Sequence, residues 1–114
     1  MKKINLLFLI ITISLTMSSC STSTIEEVII TDPITYTANV STIISNNCLP
    51  CHAGSTASAG LNLETYASVR NATENGNLLN RINSASSPMP QGGQMPPVLI
   101  ATIEEWANQG YLEN

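Results

Sequence analysis

The segment Cys48-Leu49-Pro50-Cys51-His52 holds residue types at a spacing that can do chemistry. Two thiols three positions apart lie about one helical turn from each other, so both can reach the edge of one flat molecule. A His directly after the second Cys can turn beneath that molecule and bind a metal at its centre. C-x-x-C-H is the attachment pattern of a c-type haem. Cys48 and Cys51 would form thioethers to the two porphyrin vinyl groups, and His52 would be the proximal ligand of the iron.

Other readings of these residues are weaker. A redox pair of thioredoxin type needs a βαβ framework, and the sequence shows none. A zinc site needs about four ligands, and only two Cys and one His are present here. A structural Cys48–Cys51 disulfide beside a satisfied His is possible in an exported protein. The inventory of three Cys favours haem: Cys48 and Cys51 serve the cofactor, Cys20 serves a lipid, and none is left over.

The second axial ligand follows by elimination. His52 is the only His, and no Lys remains once the first residues are removed. Met1 and Met17 leave with the signal, so Met89 and Met95 remain. Both lie in the Pro- and Gly-rich stretch Ser87-Pro88-Met89-Pro90-Gln91-Gly92-Gly93-Gln94-Met95-Pro96-Pro97. Prolines stiffen such a loop and can hold a thioether on iron with little entropy lost. Met ligation stabilises ferrous iron and suits an electron carrier. The plainer alternative is that both Met fill gaps at the haem edge.

The elements around the motif read as helices. Residues 1–19 have the form of a lipoprotein-type signal peptide: Lys2 and Lys3, then an apolar run from Ile4 to Leu15, then Ser18-Ser19 before Cys20. The apolar run is shorter than the ~20 residues that span a bilayer. Cys20 is the expected lipidation site, although Met17 stands where a Leu is usual. Residues 20–35 read as a lipidated N-terminus and tether that opens on Ser21-Thr22-Ser23-Thr24, with Val28-Ile29-Ile30 as its one apolar cluster. Residues 36–114 form the expected domain, a size at which an apolar core alone is marginal.

Within it, Val40, Ile43, Ile44 and Asn47 make a helical stripe over Thr37–Asn47, with Thr37 as a possible N-cap and Pro50 ending or disturbing the helix. Residues 53–60 read as a loop across one haem edge. Glu64–Thr73 predicts a second helix with Tyr66, Val69 and Arg70 inward or along the haem. Asn77–Asn83 predicts a further turn or two through Leu78, Leu79 and Ile82. Arg81 either reaches a haem propionate or is solvated. Val98–Gln109 is the most regular segment, with Leu99, Ile100, Ile103, Trp106 and Ala107 on one face, Glu104 and Glu105 towards solvent, and Gly110 stopping it. Trp106 is core or a contact with the first helix near the haem; the contact is favoured. The expected fold is all-α, small and built around the cofactor, without which the chain should not fold stably.

After removal of Lys2 and Lys3 only Arg70 and Arg81 are basic, against eight acidic residues. That balance disfavours nucleic acid and a polybasic membrane patch, and a partner docking by charge should present a positive face.

From about Tyr36 to Gly110 the chain resembles small monohaem cytochrome c domains of bacterial membrane lipoproteins, especially those of Bacteroidetes-like bacteria. The matching pieces are Val40, Ile43 and Ile44 before Cys48-Leu49-Pro50-Cys51-His52, then Ala59-Gly60-Leu61-Asn62-Leu63 and Tyr66. Gly76-Asn77-Leu78, Arg81-Ile82, Ser87-Pro88-Met89-Pro90-Gln91-Gly92-Gly93, Ile103, Trp106 and Gly110 follow in the expected order. The resemblance implies a cytochrome c-like fold of three to four helices around one covalent haem. It also implies Met89 as the distal ligand, from its distance before Trp106, with Met95 as the alternative. The function implied is electron transfer outside the cytoplasm, with redox proteins of the cell envelope as partners, the membrane reached through the N-terminal lipid, and no catalytic turnover. Two rivals stand beside it. A haem sensor or small peroxidase would have an open or displaceable distal site. A structural lipoprotein with a Cys48–Cys51 disulfide would be colourless.

Overall fold

Thr35 sets the first helical segment in motion. Its backbone is extended, and its hydroxyl oxygen accepts a hydrogen bond from the Ala38 N–H at 3.2 Å. In return the Thr35 N–H donates to Asn39 Oδ1 at 2.9 Å. The computed structural model describes residues 32–114. The signal peptide, Cys20 and the Val28-Ile29-Ile30 cluster lie outside the described residues.

From Thr35 the chain runs through a π-helical turn, Tyr36–Val40, directly into helix α1, Ser41–Asn47. The N-cap is thus Thr35 and not Thr37. Thr37 serves a different purpose: its hydroxyl donates to the Glu113 carbonyl at 2.8 Å and ties the start of the domain to its end. Val40, Ile43 and Ile44 are buried as the stripe requires. The polar member, Asn47, donates to the Ile43 carbonyl at 2.8 Å.

Three more α-helices follow: α2, Tyr66–Glu74; α3, Leu78–Asn83; and α4, Pro97–Asn108. A short 3₁₀ turn, Ser58–Gly60, interrupts the loop before α2. Helix α2 opens on a capping box. The Ser68 N–H donates to Thr65 Oγ1 at 3.1 Å, and the Thr65 N–H donates to Ser68 Oγ at 3.2 Å. Helix α3 buries Leu78 and Ile82, one turn apart. Helix α4 starts without a side-chain cap, but Pro97 occupies its first turn, where a missing N–H costs nothing. It ends in a Schellman arrangement: the Tyr111 N–H donates to the Trp106 carbonyl at 3.0 Å and the Gly110 N–H to the Ala107 carbonyl at 3.1 Å. Gly110 has φ +87°, a conformation that a side chain would disfavour. Among the described residues there is no strand, and the fold is all-α. No helix among them is long and apolar enough to cross a membrane.

The core is continuous. Val40, Ile44, Val69, Ile103 and Trp106 are its fully buried side chains, drawn from the π turn, α1, α2 and α4. Burial of each aliphatic member stabilises by roughly 1.5–3 kcal/mol relative to exposure. Ile34 is buried as well, so packing begins two residues before Tyr36. The four aromatic rings of the described chain cluster at one place. Trp106 meets Tyr111 edge to face at 5.1 Å between centroids, Tyr36 at 6.0 Å and Tyr66 at 6.3 Å. The indole N–H donates to the Leu112 carbonyl at 2.8 Å. Trp106 is therefore both core and a contact with the first helical segment, through Tyr36.

Candidate functional site

The haem-type motif begins where α1 stops. The Cys48 and Leu49 N–H groups both reach the Ile44 carbonyl, at 2.8 and 3.1 Å, and Pro50 has no N–H with which to continue the helix. One further turn forms all the same. The Cys51 and His52 N–H groups both donate to the Cys48 carbonyl, at 3.1 and 2.9 Å. This turn brings Cys48 and His52 to the wall of one cleft.

The cleft has a volume of about 490 Å³, within the ~300–1,000 Å³ of ordinary cofactor and ligand sites. Its walls are mostly apolar. Leu61 and Leu63 come from the strap before α2, Ala72 from α2, and Leu78 and Ile82 from α3. Asn71, Asn77 and Arg81 supply the polar positions. Met89, from the loop after α3, completes the lining. Its N–H donates to the Arg81 carbonyl at 3.0 Å, which fastens the Met loop to the last turn of α3.

Met89 and Met95 thus have different surroundings. Met89 is half-buried on the cleft wall. Met95 is 4% exposed, sits in the hydrophobic core, and borders a separate hollow beside Pro97, Ile100 and Glu104. Arg81 also lines the cleft. Arg70 does not: it pairs with Glu74 at 3.1 Å, and its guanidinium lies 5.4 Å from the centroid of the Tyr111 ring. Of the inward residues expected on α2, Val69 is buried and Tyr66 is half-buried, its hydroxyl donating to the Tyr111 carbonyl at 2.8 Å. The faces that reach the cleft are those of Asn71 and Ala72. None of the four aromatic rings lines it.

Cys48 and Cys51 are both free thiols. Cys48 is half-buried on the cleft wall, and burial pushes its thiol pKa up. Cys51 is exposed and is not part of the lining. Among the described residues no three His, Cys, Asp or Glu side chains gather at one point, the geometry a zinc site would need.

His52 carries the most telling contact. Its Nδ1 lies 3.1 Å from the Leu61 carbonyl oxygen. A carbonyl can only accept, so Nδ1 carries the proton and donates it. In the neutral ring Nε2 is then the nitrogen that keeps its lone pair for a metal. A ligating His is characteristically oriented in this way, through its other ring nitrogen. The strap is stitched back a second time by the Leu63 N–H, which donates to the His52 carbonyl at 2.8 Å.

Sequence reasoning did not find the strap's role. A backbone carbonyl leaves no residue-type signal, so Leu61 could be read only as an apolar residue. Beside it, Asn62 and Glu64 form an exposed cluster with Gly54. The signal that could have found it is Asn62-Leu63-Glu64 ahead of Thr65: an Asx turn leading into a helix cap.

These residues fit a c-type haem by the chemistry of the donor set: an apolar slot, a thiol on its wall, an imidazole whose free nitrogen is Nε2, a thioether, and one cation. A scan against protein-family models and searches of curated proteins and solved structures give no match to this chain.

Proposed function

We propose that this chain is a membrane-anchored electron-transfer protein that holds one c-type haem outside the cytoplasm, a small monohaem cytochrome c of the bacterial lipoprotein kind. Cys48 and Cys51 hold the porphyrin covalently, His52 Nε2 and the Met89 sulfur ligate the iron, and Cys20 carries the lipid. When bound, the haem supplies a one-electron couple, its iron passing between the ferric and ferrous states. The protein's own residues hold, orient and shield it. Arg81 pairs with a propionate at the cleft, and Leu61, Leu63, Leu78 and Ile82 exclude water from the ring.

The observation that carries this reading is the common cleft of Cys48, His52 and Met89, with His52 Nδ1 committed to the Leu61 carbonyl. The burial of Met95 in the core supports Met89 as the sulfur ligand. The acidic mature chain favours envelope redox proteins with a positive face as donor and acceptor. The chain is read as a carrier without catalytic turnover of its own.

The test is carbon monoxide binding to the reduced, as-isolated protein. An electron carrier with Met89 on the iron takes up the gas slowly or not at all. Fast, complete binding at low gas concentration would replace this reading with that of a sensor or peroxidase.

A further inference from the structure

Resting on the haem reading above, we infer that Asn62 and Glu64 are positioning residues for the haem ligand His52, although neither touches its ring. The Leu61 carbonyl that accepts the His52 Nδ1–H belongs to a strap with no helix of its own, and something must hold that oxygen in place. The residues around it do so. One Glu64 carboxylate oxygen, Oε2, accepts from the Gly54 N–H at 3.0 Å and from the Asn62 side-chain amide. The same amide reaches the Gly54 carbonyl at 3.4 Å. Asn62 Oδ1 accepts from the Glu64 N–H at 2.8 Å, closing an Asx turn.

The clamp joins the two ends of a closed path. Gly54 lies two residues after His52, and Asn62 directly follows Leu61. With the Leu63 N–H on the His52 carbonyl at 2.8 Å, the clamp leaves the Leu61 oxygen little freedom to leave Nδ1. The lowered pKa of Glu64, caused first by the Asn62 amide and then by the Gly54 N–H, agrees with this arrangement.

The consequence is electronic. A firm Nδ1–H···O=C bond pushes electron density towards Nε2, strengthens its donation to iron and favours the ferric state. Loosening the clamp weakens that donation and raises the reduction potential. Glu64 could instead act only through its negative charge, which also favours ferric iron, so the variants must separate charge from hydrogen bonding. Asn62→Ala removes the three clamp bonds of the Asn62 side chain, leaves only the Gly54 N–H on Glu64, and removes no charge. Glu64→Gln removes the charge and keeps an acceptor oxygen for Gly54 and Asn62. Glu64→Ala removes both.

The experiment measures the reduction potential of the haem-loaded full chain, together with the exchange rate of the His52 Nδ1–H by NMR in the ferrous form. The expected result is a raised potential and severalfold faster exchange in Asn62→Ala and Glu64→Ala, with Glu64→Gln close to the parent in exchange rate. An unchanged Asn62→Ala, or equal potential shifts in both Glu64 variants with no change in exchange, overturns the positioning role and leaves the haem reading intact. A parent chain without covalent haem overturns the haem reading, and this inference with it.

Discussion

The imidazole of His52 has two nitrogens, and the fold commits one of them to the Leu61 carbonyl at 3.1 Å. In the neutral ring that leaves Nε2 with its lone pair, the tautomer that the proposed iron ligation would need. Met89 and Met95 show the opposite situation, two chemically identical side chains separated only by where the chain puts them. Replacing Met95 with Ala empties a buried core position and should destabilise the protein by about 2–5 kcal/mol in urea unfolding. Its spectrum should stay that of the parent. Replacing Met89 with Ala should cost much less stability and abolish the weak far-red band of sulfur on ferric iron. A reversed pattern would assign the ligand to Met95.

Glu64 gives a pH-dependent test at the same scale. Its folded pKa is lowered, so its contribution is fully present above the ordinary carboxylate value of ~4.3 and is lost as pH falls through the lowered folded value. The acid limb of the stability curve should therefore be shallower in Glu64→Gln than in the parent. Identical limbs in the two proteins would remove the clamp's part in acid stability.

Among the described glycines, Gly76 between α2 and α3 is the one with no room for a side chain. A Cβ at Gly76 would stand 2.6 Å from the Ala72 carbonyl oxygen, and that backbone belongs to α2 and cannot step aside. Gly76→Ala should cost roughly 1–3 kcal/mol, as overpacking does. It should also disturb the cleft, because Gly76 and Ala72 both line it. Thermal unfolding with parallel absorption spectra checks both effects. Much of this level was legible in the sequence. The helical stripes of Val40, Ile43 and Ile44 and of Ile100, Ile103 and Trp106 follow from period alone, and Gly110 from its place after the last apolar residue. The cap at Thr35 was not legible, since Thr35 and Thr37 are equally good capping types. The choice fell to the C-terminal tail, which takes the Thr37 hydroxyl through the Glu113 carbonyl. Arg70 stays beside Tyr66 as helical period requires, its guanidinium within 3.4 Å of the Tyr66 hydroxyl, but that face of α2 turns to Glu74 and the Tyr111 ring and not to the cleft. The strap carbonyl at Leu61 leaves no residue-type signal of its own, because a backbone acceptor is the same in every residue; only the Asx turn at Asn62 points to the strap.

The molecule as a whole has two centres of cohesion. One is the ring cluster of Tyr36, Tyr66, Tyr111 and Trp106, which joins the π turn, α2, α4 and the tail. The other is the core behind the cleft wall, where Leu63, Ala72, Leu78 and Ile82 are buried. Trp106→Ala should remove about 3–5 kcal/mol, a large share of the 5–15 kcal/mol that holds an ordinary domain together. A urea melt of the haem-loaded variant should show its midpoint well below the parent's, and coincident midpoints would contradict this cost. The cofactor would supply the apolar partner for the second centre, stabilising the native state in proportion to how tightly it is held.

The most direct test of the central claim is the absorption spectrum of the full-length protein, made in a bacterium with active haem-attachment machinery and recorded before and after denaturation. The expected result is haem that stays with the chain on denaturation, and a native ferric far-red band that disappears in Met89→Ala. A colourless protein, or haem that washes away on denaturation, would contradict it.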